Sequence, residues 1–325
     1  MSLPGSSPLK PLFPSIKVIG VGGGGGNVIA RMLNADVAGV HLVACNTDLQ
    51  ALRNTGAPSQ VLLGKTTTGG RGAGTDAELG RRGATESENE IQSVLEGAEM
   101  VFIAAGLGGG TGTGASPVIA EQARNAGTLT VGVVTLPFSF EGKRRKATAL
   151  KGLEELRRVA NVVLVIPNDR LVTYFPRTTS MLKAFEMADH VLMDVIQGIS
   201  DLVTHNGLIN IDLSDVRTVM ENRGNAVIGR GTGEGEDRLI HATRQALHNP
   251  LMGEVDIRGA KGILAHVMGN ENLGLVEVQE AMDLINRQAG EQANVIFGAT
   301  TRPEMGNGVS IIVIITGLED AGAVA

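Results

Sequence analysis

Buried-strand patterns and helical patterns alternate along the first half of the chain. Five short stretches between residues 16 and 166 are rich in β-branched residues, which is typical of buried strands in a parallel sheet. The segments between them carry apolar residues at helical spacing. Strands separated by helices predict a doubly wound, mostly parallel α/β sheet. The predicted strands are Ile16–Val21, Val40–Cys45, Met100–Ala105, Thr128–Leu136 and Asn161–Ile166, and the predicted helices lie at about 27–38, 76–96, 115–126 and 142–160.

One long amphipathic helix is predicted to follow this region. Apolar residues recur at helical spacing from residue 180 to residue 204, a length of some 36 Å at about 1.5 Å per residue. Helices near 214–222, 235–248 and 275–289 then alternate with strands near 225–230, 260–268, 294–300 and 308–316. We therefore predict a tail at 1–15, a first domain at 16–178, a central helix and connection at 179–208, a smaller α+β domain at 209–318 and a tail at 319–325.

Two glycine-rich loops each follow a predicted strand and precede a predicted helix. The first is Gly22–Asn27, and the second is Gly108–Gly114, which also contains Thr111 and Thr113. In a strand-loop-helix unit, amide N–H groups and the helix dipole converge on such a loop and favour phosphate, and the threonine hydroxyls add donors. An isolated glycine cluster is equally well explained as a flexible surface turn. Two clusters in the same context predict two walls of one pocket.

Further polar loops follow other predicted strands. Ligands of doubly wound sheets bind at the carboxyl ends of the strands, where these loops lie. They are Asn46–Asp48, Lys65–Asp76, Pro137–Gly142 and Pro167–Asp169. The sequence therefore predicts a ligand site assembled from several segments of the chain.

Two common nucleotide-binding motifs fit these loops poorly. The dinucleotide fingerprint matches Gly20, Gly22 and Gly25, but a single match is weak in a chain with 45 glycines. It also leaves the second glycine loop without a purpose. A P-loop is suggested at Gly64–Thr66, yet Ser59 stands where its first glycine belongs, and a strand-like segment follows that position. We therefore expect a phosphate cradle made mainly of backbone amides.

Composition narrows the class of protein. The chain has 325 residues, 42% hydrophobic and 19% charged, which fits a globular protein larger than one core. Its net charge of −6 does not favour nucleic acid or an anionic membrane surface. No apolar segment approaches the roughly 20 residues of a membrane span. Cys45 is the only cysteine, so no disulfide can form within the chain, which fits a reducing cytoplasm.

Metal-ligand spacing is absent from the sequence. The six histidines are scattered and form no paired-ligand motif, so we expect no metal site built from protein side chains within one subunit. A Mg²⁺ ion carried by bound phosphates is the ion to expect.

The order of these motifs resembles the tubulin/FtsZ GTPase family. The resemblance covers residues 16 to 318, and its most specific part is the run Gly108–Gly114. It implies a GTP-binding domain, a central helix and a C-terminal domain, with GTP hydrolysed to GDP between subunits stacked head to tail in a filament. It also implies a cytoplasmic protein at the mid-cell division site, with other division proteins as partners. The remaining motifs that carry it are Gly22–Asn27, Gly72–Gly74, Pro137–Gly142, Pro167–Asp169 and Asn210–Asp215.

The resemblance implies a set of nucleotide contacts. Glu141 would hold the ribose and Arg145 the sugar-phosphate side. Around the base, Asn168 and Asp189 would contact the guanine edge, Phe185 its face, and Arg31 would approach it. The phosphate contacts would be Gly23, Gly24, Gly25, Gly26, Asn27, Gly72, Ala73, Gly74, Gly108, Gly109, Gly110, Thr111, Gly112 and Thr113.

Spacing alone supports plainer explanations for several of these residues. On the long helix, Asp189 fits a solvated face and Phe185 a core contact. Glu141 and Arg145 fit a surface ion pair at i and i+4, worth only tenths of a kcal/mol. These alternatives stay open at the level of sequence.

An acidic turn follows the long helix. Asp212, with Asp215 three residues later, fits a helix N-cap with an acidic first turn. The resemblance implies in addition that Asp212, Asp215 and Asn210 enter the next subunit's pocket and orient the attacking water. Leu213 and Ser214 stand where the family often has Phe and Ala, which affects packing between subunits more than chemistry.

Two other functions stay open on the sequence. The first is a filament protein that binds GTP and barely hydrolyses it. The second is a dinucleotide-dependent oxidoreductase that uses Gly20, Gly22 and Gly25. The chain ends at Ala325, so we expect no terminal peptide of the kind that docks membrane tethers in the family.

Overall fold

The chain is built on one ten-stranded sheet. The computed structural model describes residues 13–172, 175–204, 207–221, 225–249, 256–290 and 292–318. The strands are β1 Ile16–Val21, β2 Val40–Asn46, β3 Ser59–Leu62, β4 Met100–Gly106, β5 Leu129–Leu136, β6 Val162–Pro167, β7 Asn225–Gly233, β8 Gly262–Gly269, β9 Asn294–Thr301 and β10 Val309–Leu318. The helices are α1 Gly22–Asn34, α2 Leu49–Asn54, α3 Ala77–Glu86, α4 Glu88–Leu95, α5 Gly110–Asn125, α6 Lys143–Val159, α7 Asn168–Val172, α8 Met181–Thr204, α9 Leu213–Met220, α10 Arg238–Leu247 and α11 Leu275–Ala289.

The sheet runs in the order β3-β2-β1-β4-β5-β6-β7-β10-β8-β9. Neighbours from β3 through β7 are parallel, and only β10 is antiparallel to both of its neighbours. This confirms the predicted mostly parallel α/β fold. The junction between β6 and β7 consists of two residue pairs, Val163 with Asn225 and Leu164 with Ala226. The second set of strands therefore extends the first sheet through a narrow seam.

The helix α8 lies at this seam, as the predicted central helix. Its apolar side joins a core that also contains residues of α1, β5 and β10. A second core lies under α4, α5 and α6, and a third lies between α10, α11 and the last strands. Within the described ranges, no helix combines the length and the apolar character needed to cross a bilayer.

Both glycine-rich runs are helical where loops were predicted. The helix α1 already begins at Gly22, and α5 begins at Gly110 rather than near residue 115. The reason is close packing of backbone on backbone. A Cβ built on Gly25 would lie 2.2 Å from the carbonyl oxygen of Ala104, and one on Gly114 would lie 1.9 Å from that of Ala77. Glycine is required there so that the helices can approach their neighbours.

Two further predictions of secondary structure need correction. The single helix expected at 76–96 is broken at Ser87, which ends α3 and precedes α4. The Ser87 hydroxyl accepts a hydrogen bond from the Gly64 amide at 2.9 Å, so the break joins the two helices to the loop after β3. The short helices α2 and α7 were not predicted, because each has only about one turn and gives little periodic signal.

Candidate nucleotide-binding site

The two glycine-rich runs lie side by side at the carboxyl ends of β1 and β4. Gly22 has a φ of +71°, and a Cβ built on it would lie 2.9 Å from the Gly112 nitrogen. A Cβ on Gly24 would lie 3.1 Å from the Gly106 nitrogen. Gly25 and Gly26 are buried, whereas Gly23 and Asn27 are exposed. The first run thus packs on one side and leaves backbone open on the other.

The loop Gly72–Gly74 forms a third side of this region. The Gly110 amide donates to the Gly74 carbonyl at 2.8 Å, and the Gly72 amide donates to the Thr47 carbonyl at 3.0 Å. Gly72 and Gly74 both have positive φ, at +84° and +53°. Ala73 is buried, and its carbonyl would lie 2.6 Å from a Cβ on Gly110. Three sequence-distant segments therefore meet through backbone contacts.

The threonines of the second run fix the shape of that run. Thr113 Oγ1 accepts a hydrogen bond from the Gly108 amide at 2.7 Å. Thr111 Oγ1 lies 2.6 Å from Thr47 Oγ1, and all three threonines are buried. Sequence reasoning identified the loop that contains Thr47 but not the residue, because a lone threonine after a strand gives no signal of its own.

Glu141 and Arg145 form the ion pair that spacing suggested. Arg145 Nε lies 3.1 Å from Glu141 Oε2, while Glu141 Oε1 accepts the Phe138 amide at 2.9 Å. The pair also borders the glycine region, because a Cβ on Gly108 would lie 2.8 Å from Arg145 Cγ. An ion pair in this place is compatible with a role beside a sugar and its phosphate.

Asp189 is buried, so the solvated-face explanation for it is wrong. Its side chain faces Arg31, with Arg31 Nε 3.5 Å from Asp189 Oδ2, and Arg31 Nη1 lies 3.4 Å from His190 Nε2. Burial raises the pKa of Asp189 to about 6, against the opposing effects of Arg31 and of a hydrogen bond from Asn27. The carboxylate therefore connects the first glycine run with α8.

Asn168 carries an unsatisfied polar atom. Its side chain is 4% exposed, and its Oδ1 has no hydrogen-bond partner among the described residues. A buried acceptor without a donor costs about 1–3 kcal/mol, so such atoms are uncommon unless a ligand supplies the donor. Asn168 is the first residue of α7, directly after β6.

Phe185 belongs to a cluster of three phenylalanines. Its ring meets that of Phe138 edge to face at 5.2 Å, and Phe140 stacks on Phe138 at 5.1 Å. Phe185 remains partly accessible, so the core-contact explanation and a contact with a base are compatible. Phe138 and Phe140 lie in a loop that was predicted to face the ligand, but the sequence predicted no role for either residue.

The acidic turn forms a reciprocal N-cap. The Asp215 amide donates to Asp212 Oδ1 at 2.9 Å, and the Asp212 amide donates to Asp215 Oδ2 at 3.1 Å. Asn210 Oδ1 accepts the Gly207 amide at 2.6 Å. The capping explanation is therefore correct, and one oxygen of each carboxylate makes no hydrogen bond within this turn.

This acidic turn lies far from the glycine runs of the same molecule. Just before it, Ile209 forms a bridge with Ala299 on β9, the last strand of the sheet. Two residues after Asp215, Arg217 Nη2 donates to the Gly127 carbonyl at 3.5 Å, just before the amino end of β5. The glycine runs follow the carboxyl ends of β1 and β4, and a strand of 8 residues such as β5 is about 26 Å long. The described ranges contain no group of three or more His, Cys, Asp or Glu residues able to hold a metal ion.

Comparison with known proteins identifies the family. Residues 15–176 match the model of the Tubulin/FtsZ family, GTPase domain, and residues 224–319 match that of the FtsZ family, C-terminal domain. The structure of an empty FtsZ dimer from M. jannaschii is 43% identical, with 94% of this chain and 88% of that chain covered and a TM-score of 0.88. A point mutant of M. jannaschii FtsZ also gives 43% identity and a TM-score of 0.88, over 94% of this chain and 92% of that chain.

A more distant structure shares the fold. CetZ1 from Haloferax volcanii, a GDP-bound monomer, is 23% identical, with a TM-score of 0.82 over 95% of this chain and 96% of that chain. The two family models together cover every strand of the sheet. The chain therefore belongs to the tubulin/FtsZ family of GTPases.

Proposed function

We propose that this chain binds GTP, assembles head to tail into filaments and hydrolyses GTP at the contact between subunits. One observation carries the proposal: the helix that follows the acidic turn reaches the amino end of β5, whereas the glycine runs lie at the carboxyl ends of β1 and β4, about one strand length of some 26 Å away. Carboxylates at that distance cannot act on a phosphate held by their own subunit. A second copy stacked on the first brings the two halves of the site together.

Residues from all three glycine segments would bind the phosphates through backbone N–H groups. Open backbone at Gly23 and the positive φ of Gly72 and Gly74 support this role. Glu141 would hold the ribose, with Arg145 beside the sugar-phosphate. A Mg²⁺ ion carried by the phosphates would offset their negative charge when bound.

Guanine would be recognised at Asn168 and Asp189. The buried, unsatisfied Oδ1 of Asn168 can accept a hydrogen bond, and the Asp189 carboxylate can accept from the adjacent N1–H and N2–H of guanine. Adenine presents no such pair of donors, so a buried carboxylate favours guanine. Phe185 would contact the face of the base and Arg31 would hold Asp189 in place.

Exposed apolar side chains support head-to-tail assembly. Beside the base, Phe140 is 63% exposed, and Met181 and Leu182 at the start of α8 are also exposed. At the carboxyl ends of β8 and β9, Leu208 is exposed, as is Leu275, the first residue of α11, at 83%. Stacking of two subunits would remove apolar side chains at both ends of the molecule from water, which favours assembly.

Within the assembled contact, Asp212 and Asp215 would orient the attacking water. Their reciprocal capping bonds fix both carboxylates and leave one oxygen of each outside the cap. Asn210 uses its oxygen within the turn, so its amide NH₂ is the group left for the water. One subunit would therefore hold the phosphates, and the next subunit would position the water.

The proposal also includes the protein's location in the cell, its partners and its domains. As a division protein it would work in the cytoplasm, at mid-cell, with other division proteins as partners. Its GTP-binding domain would be residues 16–178, and the domain that carries the acidic turn would be 209–318.

Turnover as a function of protein concentration tests this function. A site shared by two subunits requires GTP hydrolysis to rise more steeply than linearly with protein concentration until filaments form. A rate per molecule that is constant down to strictly monomeric dilution would contradict it. Measuring phosphate release also distinguishes a filament that binds GTP but barely hydrolyses it.

A further inference from the structure

The acidic turn is attached to the last strand of the sheet. The Ile209 amide donates to the Ala299 carbonyl at 3.1 Å, and the Ala299 amide donates to the Ile209 carbonyl at 3.0 Å. The other side of β9 is paired with β8 along its whole length. The segment before Asp212 thus continues the sheet by one short antiparallel bridge.

Two glycines make this close approach possible. A Cβ built on Gly298 of β9 would lie 2.5 Å from Ile211 Cδ1 and 2.6 Å from Ile211 Cγ1. A Cβ on Gly207 would lie 2.2 Å from the Ala299 carbonyl oxygen. Ile211 is buried and belongs to the core around α8, so it has little room to move away.

Ile211 is bonded directly to Asp212. Consecutive Cα atoms are about 3.8 Å apart, so a shift of Ile211 on β9 is passed to Asp212 and to the cap it shares with Asp215. A displacement of about 1 Å at a catalytic group can lower its rate about 100-fold. The absence of a side chain at residue 298 therefore affects the placement of the acids.

We infer that Gly298 is a positioning residue for GTP hydrolysis. Because it has no side chain, it sets how closely Ile211 packs on β9 and thereby where Asp212 lies in the next subunit's pocket. This inference rests on the proposed role of Asp212 in the neighbour's pocket. In this role Gly298 acts through its contact with Ile211 and not through contact with the nucleotide.

Replacement of Gly298 by alanine tests the inference. We expect Gly298→Ala to lower kcat about 10- to 100-fold while the KM for GTP and GTP binding stay near those of the parent. The thermal midpoint should also fall, because the new methyl group overpacks buried Ile211. The amide of Ile209 should exchange its hydrogen faster, because the bridge to Ala299 loosens. The control is Gly259→Ala, where a Cβ meets no atom within 4 Å and kcat should not change.

A second substitution shows that the effect passes through Ile211. Ile211→Ala removes the side chain that rests on Gly298, and it should also lower kcat. The double variant should be more active than Gly298→Ala, since the new methyl group then fills part of the space that Ile211 leaves. A kcat of Gly298→Ala within twofold of the parent, with faster exchange at Ile209, would overturn the inference.

Two further outcomes are decisive. If Gly298→Ala does not fold, the Ile211→Ala variant tests the inference. A normal kcat of Ile211→Ala overturns it, whereas a reduced kcat with unchanged GTP binding supports it. Asp212→Asn is measured in parallel. Normal turnover of that variant defeats the proposed function itself, whereas an inactive Asp212→Asn beside a normal Gly298→Ala defeats only the positioning role.

Discussion

Single residues of the glycine region differ in how tightly their surroundings pack against them. Glycine is needed at residue 25 because the Ala104 carbonyl leaves no room for a side chain. In contrast, a Cβ built on Gly23 would meet no atom within 4 Å. Burial raises the pKa of Asp189 although the neighbouring Arg31 acts to lower it, and Arg31 Nε lies 3.5 Å from the carboxylate. Nearby positions in one motif therefore differ in whether folding or binding constrains them.

The two glycines of the first run should respond differently to alanine. Gly25→Ala places a methyl group against the Ala104 carbonyl and should lower the free energy of unfolding by about 1–3 kcal/mol or more. Gly23→Ala should leave the free energy of unfolding within about 0.5 kcal/mol and weaken GTP binding instead. Denaturant unfolding and GTP titration of both variants check this, and equal stability of the two would contradict it.

Asp189 should make GTP binding dependent on pH. Its pKa is raised to about 6, so in the nucleotide-free protein it gains a proton as the pH falls through 6. Because guanine N1–H and N2–H require the carboxylate, the Kd for GTP should rise about tenfold for each pH unit below 6. Calorimetric titration from pH 7.5 to 5 measures the dependence, and Asp189→Asn should remove it.

The raised pKa of Asp189 also determines how the free energy of unfolding depends on pH. A carboxyl whose pKa is about 6 in the folded protein and about 3.9 when unfolded binds more protons in the folded state between those values. Its contribution to stability therefore falls as the pH rises from about 4 to 6 and is constant above. Glu186 and Arg31 also affect the pKa of Asp189, and His190 contacts Arg31. The variant His190→Gln is therefore the control for the effect of a neighbouring side chain.

At the scale of elements, the acidic turn joins two functions in one helix start. Asp212 caps α9, and the same residue is the proposed water-positioning group. Asparagine caps helices as well as aspartate does, but it lacks the charge and the basicity of a carboxylate. The two roles can therefore be separated by a single substitution.

Asp212→Asn should keep the fold and lose turnover. We expect its free energy of unfolding to change by only a few tenths of a kcal/mol, while GTP hydrolysis falls about 10²- to 10⁴-fold. Asp212→Ala should lose a further 1 kcal/mol or so of stability, because the cap is lost as well. Unfolding and phosphate-release measurements on the pair decide between a capping role alone and a combined role.

Much of this architecture follows from the sequence because long periodic segments dominate it. The helix α11 and the strand β1 have the boundaries that were predicted, and α8 differs by one residue at its start. The starts of α1 and α5 could not be predicted, because glycine disfavours helix locally. Glycine is required there by close contacts with distant backbone, such as those of Gly25 with Ala104 and of Gly114 with Ala77. Tertiary contact outweighs local preference at these two places.

The site was predictable in its loops and less so in its side chains. The runs at Gly22 and Gly108 each follow a strand, which is enough to place them at one edge of the sheet. Thr47 and Phe138 contribute through contacts with residues far away in sequence, at Thr111 and Phe185. Such contacts depend on packing and leave no periodic pattern.

At the scale of the whole molecule, one sheet separates the glycine runs from the acidic turn. The glycine runs lie at β1 and β4, and the acidic turn lies at β9. The central helix α8 links them, since Asp189 lies in its first half and the acidic turn follows its end. In the proposed function, this separation is the reason why GTP hydrolysis needs a second subunit.

Mixing two complementary variants tests the shared site most directly. Asp212→Asn keeps the phosphate pocket and loses the acid, whereas Asp189→Ala weakens GTP binding and keeps the acidic turn. At a GTP concentration that saturates only the first variant, each alone should hydrolyse GTP slowly. We predict that the mixture releases phosphate faster than the sum of the two separate samples at the same total protein concentration, because Asp212 of one variant completes the pocket of the other. A mixture whose rate equals the average of the two separate samples would contradict the shared site.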